Sequence, residues 1–330
     1  MATDALLDVE DLFVEFHTRD GIARVINGAS LHLHRGETLA LLGESGSGKS
    51  VTAQAILGIL ETPPAVIRSG AIRFQGTNLL ELSEQARREV RGRDIAMVFQ
   101  DALSALNPLF PVGWQIAEPL VHRAGLSRAD ALERAIGLME RVHIPGARSR
   151  VHDYPHQFSG GMRQRVMMAM ALALSPKVLI ADEPTTALDV TVQAQIMDLL
   201  AELRRDANLA LMLITHDLGV VADVADRIAV MYAGRIVEHA NVHALYEAPA
   251  HPYTRGLLES IPRVDQRGGT LATIPGLPPN LLRIPPGCPF HPRCRYAQPI
   301  CVEQPPPAVV LGGGRTSLCH FADEVVRERR

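Results

Sequence analysis

The run Gly43-Glu44-Ser45-Gly46-Ser47-Gly48-Lys49-Ser50 holds the residue types best placed for chemistry in this chain, and it matches the spacing G-x-x-x-x-G-K-[ST]. Glycines at this spacing let backbone N–H groups wrap a polyphosphate. Lys49 is placed to reach the β- and γ-phosphates, the Ser50 hydroxyl to ligate Mg²⁺, and Val51 follows directly. Such a loop works only between a strand and a helix. Thr38 to Leu42 is apolar and reads as the strand; Val51 to Leu60 reads as the helix, whose positive N-terminal end adds to the pull on phosphate. A glycine-rich surface turn is the bland alternative, and the strand, Lys-Ser pair and helix in register disfavour it.

The elements around this loop follow from hydrophobic spacing. Residues 6–16 and 22–34 alternate apolar with polar, separated by the turn signal Asp20-Gly21, and predict antiparallel strands. Residues 71–74 with Gln75-Gly76 predict another strand and turn, and 80–92 a highly charged helix. Residues 95–99 read as a buried strand, and 113–143 as two helices broken near Gly125-Leu126-Ser127, with Ser127 as N-cap. Helix 161–174, an apolar strand from Val178, helix 191–205 and strand 209–214 continue the alternation, which indicates an α/β core with a covered parallel sheet. Beyond about residue 250 the character changes. Eleven prolines fall between Pro275 and Pro307, which excludes long helices and central strands. That stretch is either a linker or a small irregular unit pinned by something else.

The chain of 330 residues is long enough for a sizeable core, and 47% hydrophobic with 21% charged residues is ordinary for a globular protein. A net charge of −3 argues against a nucleic-acid partner held by a basic face. The longest apolar run, Val166 to Leu174, is far short of the roughly 18 residues of a membrane span. The N-terminus carries no signal-peptide pattern, so the expectation is a protein that stays in the cytosol.

Five further segments carry chemistry, in a fixed order. Gln100 follows strand 95–99. Phe158-Ser159-Gly160-Gly161-Met162-Arg163-Gln164-Arg165 opens helix 161–174, with Ser159 and two glycines at the electropositive helix start. The strand from Val178 ends in Asp182 and is followed by Glu183; then come Ala187-Leu188-Asp189, and His216 after strand 209–214. Each feature alone has a plainer reading: a solvated turn, a serine-capped core helix, a structural histidine. Together with the phosphate loop they closely resemble the nucleotide-binding subunit of an ATP-binding cassette (ABC) transporter, over roughly residues 5–260. The resemblance implies an α/β P-loop NTPase core with a RecA-like parallel sheet, an antiparallel β subdomain and an α-helical subdomain at about 101–165. It implies a nucleotide-binding domain at 1–255 and an irregular Cys/Pro-rich extension at 256–330. It casts ATP and Mg²⁺ as ligands, with Ser50, Gln100 and Asp182 around the Mg²⁺ and Glu183 as catalytic base. Gln100 and His216 assist as sensor and switch. Ser159, Gly160, Gly161 and Asp189 face the nucleotide of a partner subunit, and Phe16 is the aromatic that stacks on adenine. Met162 stands where the family usually has Gln. Lys49, Glu183 and His216 are all present, which favours hydrolysis over mere binding.

Three stretches resemble one branch, the oligopeptide/dipeptide (and nickel) importer ATPases: Asp101-Ala-Leu-Ser-Ala-Leu-Asn-Pro108, His251-Pro-Tyr-Thr-Arg-Gly-Leu-Leu258 and Gly287-Cys-Pro-Phe-His-Pro-Arg-Cys294. The branch implies a peripheral position on the cytoplasmic face of the inner membrane. Its partners would be a second ATP-binding subunit, two membrane permeases docked near residues 101–125, and an extracytoplasmic solute-binding protein. Nickel or another small solute is the alternative cargo. A soluble ABC ATPase acting on DNA or ribosomes is remote, since the chain has one phosphate loop, one signature (the 158–165 segment) and no heptads. Cys288, Cys294, Cys301 and Cys319, all in the tail, favour metal over disulfide in a cytosolic protein. Their spacing C-x5-C-x6-C-x17-C fits no common zinc ribbon, and the branch implies a [4Fe–4S] cluster on these four thiolates. Zinc is the alternative, with His291 and His320 as spare ligands.

Overall fold

The structure is a computed structural model that describes residues 5–186, 188–261 and 273–328. The chain forms two compact units, one from 1–81 with 214–330 and the other from 82–213.

In the first unit an antiparallel sheet runs in the order Gly21–Leu33, Leu7–Thr18, Ala65–Phe74, Thr77–Asn78. The buried residues of strand Leu7–Thr18 are Leu7, Val9, Leu12 and Val14, so the alternation skips a position. A bulge explains it: Asp11 takes a left-handed φ of 42°, the register shifts between Val9 and Leu12, and the Asp11 N–H is received by the Ser30 hydroxyl. The phosphate-loop strand Thr38–Leu42 is buried at every residue, as a strand covered on both faces must be. It pairs in parallel with Arg227–Tyr232, which pairs antiparallel with Arg235–Asn241. Strand Thr316–Leu318 then adds to Arg235–Asn241, and Ala308–Val310 adds to Thr316–Leu318. The proline-rich tail is thus a small irregular unit pinned to the sheet that carries the phosphate loop. Its helices are short, Pro299–Glu303 and Ala322–Arg327.

In the second unit Ile95–Val98 pairs in parallel with Val178–Asp182, and both strands are wholly buried. Helix Gly160–Leu172 packs on strand Ile95–Val98, and helices Val112–His122, Arg128–Arg141 and Val190–Ala207 pack on Gly160–Leu172. Ser127 caps Arg128–Arg141, its hydroxyl accepting the Asp130 N–H. Strand Ala210–Thr215 leads back into the first unit. The charged segment 80–92 is broken where one helix is expected. A 3-10 turn, Leu79–Glu81, precedes helix Glu84–Val90, because the Ser83 hydroxyl caps a fresh start and no side chain of that helix is buried to extend it. The phosphate-loop helix, Lys49–Leu57, stops before Leu60, because Gly58 takes the left-handed cap conformation.

Candidate functional site

In the first unit the buried strand Thr38–Leu42 delivers the loop and Lys49 opens the helix. Gly43 is required by close approach: a Cβ there would lie 2.2 Å from the Met231 carbonyl oxygen. Lys49 is buried, and its ammonium donates to the Gly43 and Glu44 carbonyls at 2.7 and 3.0 Å. The Ser47 hydroxyl is buried with no hydrogen-bond partner among the described residues. A buried ammonium curled onto the loop and a buried hydroxyl without a partner fit a loop built for an anion. Glu44 is tied down from the far end of the chain. Its N–H donates to the Tyr253 hydroxyl at 2.8 Å, and its carboxylate accepts two bonds from the Arg293 guanidinium at 2.6 and 2.8 Å. His216 is exposed after strand Ala210–Thr215, and Asp217 caps the next helix through the Gly219 N–H. Phe16 is half-buried on strand Leu7–Thr18, opposite Ala23 and Ala65 in register.

In the second unit the register Val98↔Ala181 carries Gln100 and Glu183 past the same end of two parallel strands. They meet there: Gln100 Nε2 donates to Glu183 Oε2 at 2.9 Å, and Thr186 Oγ1 donates to the same oxygen at 2.9 Å. Asp182 is buried at the strand end. Glu183 holds a left-handed φ of 45°, a strained conformation for a residue with a side chain and one that clusters at functional sites. Ser159 caps helix Gly160–Leu172 with its hydroxyl on the Met162 N–H, and Asp189 caps Val190–Ala207 through the Val192 N–H. A Cβ on Gly161 would sit 2.6 Å from Val192 Cγ1, so these two helices approach closely at that point. Ala187 lies outside the described residues.

The four cysteines are free, Cys301 and Cys319 buried and the other two partly so. The Cys288 N–H donates to the Cys301 carbonyl at 2.8 Å. Burial, reinforced by the neighbouring cysteines, pushes the Cys294 thiol up to about 11 and Cys319 to about 12. Among the described residues no group of three or more His, Cys, Asp or Glu is arranged to hold a metal ion. The imidazoles of His291 and His320 each engage a backbone carbonyl, those of Cys288 and Gln304. Tyr253 and Arg293 were not foreseen as site residues. The signal lay in the two segments that contain them, 251–258 and 287–294, but spacing does not say what a side chain touches.

The sequence profile of the ABC transporter family matches residues 26–186, and that of the oligopeptide/dipeptide transporter C-terminal region matches 237–301. The oligopeptide transport ATP-binding protein OppD of Salmonella typhimurium is 50% identical over 316 residues, covering 96% of this chain and 93% of the relative. The dipeptide transport ATP-binding protein DppD of Lactococcus lactis is 51% identical over 323 residues, 98% of this chain and 91% of the relative. Among solved structures, a dimeric ATP-binding cassette in a post-hydrolysis state bound to ADP and Pi superposes with a TM-score of 0.64 at 25% identity, over 72% of this chain and 98% of that one. The chain therefore belongs to the ABC transporter ATP-binding family, in its oligopeptide/dipeptide branch, and is an ATPase.

Proposed function

We propose that this protein is the ATP-hydrolysing subunit of an importer that carries peptides across the cytoplasmic membrane. The observation that carries the hydrolytic part is the Gln100–Glu183–Thr186 cluster, a carboxylate held in a strained turn beside the buried Asp182. Mg²⁺-bound ATP is the substrate. The loop from Gly43 to Ser50 binds the triphosphate and Val51 continues its helix. Ser50, Gln100 and Asp182 would hold the Mg²⁺, whose charge would offset that of the phosphates, and Phe16 would stack on adenine. Glu183 takes a proton from the attacking water as the new O–P bond forms at the γ-phosphorus. The bond to the β-bridging oxygen breaks, and ADP leaves with the electron pair. His216 steadies the γ-phosphate. Ser159, Gly160, Gly161 and Asp189 serve the nucleotide of a second ATP-binding subunit.

The peptide cargo is supported by the C-terminal region at 237–301 and by the names of the relatives. Two permease subunits and a solute-binding protein complete the importer. The second unit carries a groove of about 470 Å³ along helix Val112–His122, where Trp114 stacks on Phe110 at 4.3 Å and Leu109 beside it is exposed. We assign it to a permease's cytoplasmic helix. No helix among the described residues is long and apolar enough to cross a membrane. The protein sits on the cytoplasmic face through that groove, with a nucleotide-binding domain at 1–255 and an extension at 256–330.

In the extension, Cys288, Cys294, Cys301 and Cys319 are proposed to hold a [4Fe–4S] cluster, with zinc the competing occupant. Four free cysteines equal that cluster's ligand count, while as placed no three of them are arranged to hold a metal ion. Once bound, the cluster would staple a segment that lacks an apolar period. Anaerobically purified protein should be brown, and Cys294→Ser should bleach it; colourless protein with stoichiometric zinc overturns the cluster.

The decisive experiment on hydrolysis is Glu183→Gln. Turnover should nearly vanish while ATP binding persists and a nucleotide-bridged dimer accumulates. Hydrolysis at the native rate would remove Glu183 as the base.

A further inference from the structure

Glu44 is an unexpected residue for a loop that receives a triphosphate, since its carboxylate repels the ligand's charge. Its surroundings answer that problem. The Arg293 guanidinium grips both carboxylate oxygens, at 2.6 and 2.8 Å, in the fixed two-pronged geometry that only arginine offers. The Arg293 side chain is 5% exposed. Its Nε donates to the Pro275 carbonyl at 2.9 Å, and its charge lies 5.9 Å from the Tyr232 and Phe290 rings. The fork is therefore pre-aimed at Glu44. The same residue's N–H is held by the Tyr253 hydroxyl, and its carbonyl accepts from Lys49. One residue of the loop thus joins the phosphate-binding lysine to two side chains from the C-terminal region, at 253 and 293.

We propose that Arg293 is a positioning residue for ATP binding, which acts through Glu44 by neutralising that carboxylate's charge beside the phosphate loop. The C-terminal region thereby becomes part of the nucleotide site. This rests on the reading of the 43–50 loop as the ATP site.

The test is a double-mutant cycle on the full chain, with the Kd for MgATP read by calorimetry. Arg293→Gln leaves the carboxylate uncompensated and should weaken binding about tenfold. Adding Glu44→Gln removes the repelling charge and should restore most of that loss. Arg293→Lys keeps the charge but loses the fork, and should fall between native and Arg293→Gln. Glu44→Gln alone leaves the guanidinium facing the triphosphate and should tighten binding; this arm decides the matter should Arg293→Gln not fold. A merely structural Arg293 gives a different pattern, in which the double variant binds no better than Arg293→Gln and Glu44→Gln weakens binding. Either result, or native affinity in Arg293→Gln, overturns the proposal. Lys49→Ala is the control: if it binds ATP as the native chain does, the loop reading fails instead.

Discussion

Glu183 shows what a residue's environment adds to its identity. A carboxylate after a strand is unremarkable by type; here its backbone is strained and one of its oxygens receives two hydrogen bonds, from Gln100 and Thr186. The strain and the bonds belong together, since a left-handed turn persists only where its surroundings over-determine it. On the proposed reading of Glu183 as the base, this bond gives Gln100 a second role, orienting that base. Replacing it by Ala should lower kcat about tenfold or more, by misplacing the base, with a much smaller change in KM for ATP. Thr186→Ala, which removes the other bond but no group proposed to serve Mg²⁺, should have the smaller effect. Equal activity in Gln100→Ala and native protein, in steady-state phosphate release, refutes the coupling. The sequence named Gln100 and Glu183 separately. Their contact follows from a strand register that no spacing along the chain encodes.

At the scale of elements, the signature and the helix after Asp189 meet through one glycine. Gly161 opens helix Gly160–Leu172, and Val192 fills the space a methyl group would need. Gly161→Ala should destabilise the chain by about 1–3 kcal/mol through overpacking, seen as a lowered thermal midpoint. Val192→Ala in the same chain should recover most of it; failure of that rescue means the glycine is needed for another reason. This also separates two roles that the motif alone merges. Ser159 and Asp189 already cap helices through backbone N–H groups, so each has a local function whatever it does for a partner's nucleotide. Helix-forming segments were legible in the sequence because capping and periodicity are local. The break at Ser83 and the early stop at Gly58 were not, because in each a single residue's backbone preference overrode the wider pattern.

At the scale of the whole molecule, the tail is fastened by buried polar groups. Glu238, on strand Arg235–Asn241, accepts the Ala250 and His251 N–H groups and pairs with Arg315 at 3.0 Å, while Ser317 donates to the Ala250 carbonyl. His251 is fully buried; its Nδ1 accepts the Tyr253 N–H, and burial pushes its pKa down to about 3. An unfolded imidazole binds a proton below about 6.5, so between about pH 6.5 and 3 only the unfolded chain takes it up, and stability falls as pH falls. The loss should reach about 3 kcal/mol by about pH 4. Glu238, whose carboxyl burial raises, runs the other way. His251→Asn isolates the imidazole and should flatten the fall in thermal midpoint on acidification; an unchanged slope refutes the assignment.

By itself the sequence determined the α/β class, the phosphate loop and the order of the nucleotide motifs. Each depends on residues close together along the chain, where backbone conformation and hydrophobic period are set. Tertiary structure alone decided that Gln100 meets Glu183, that strand Thr316–Leu318 joins the sheet of the phosphate loop, and that Arg293 reaches back to Glu44. These contacts join residues tens to hundreds of positions apart. They exist because burial and sheet pairing bring distant segments together, a consequence of the folded packing that local spacing does not carry.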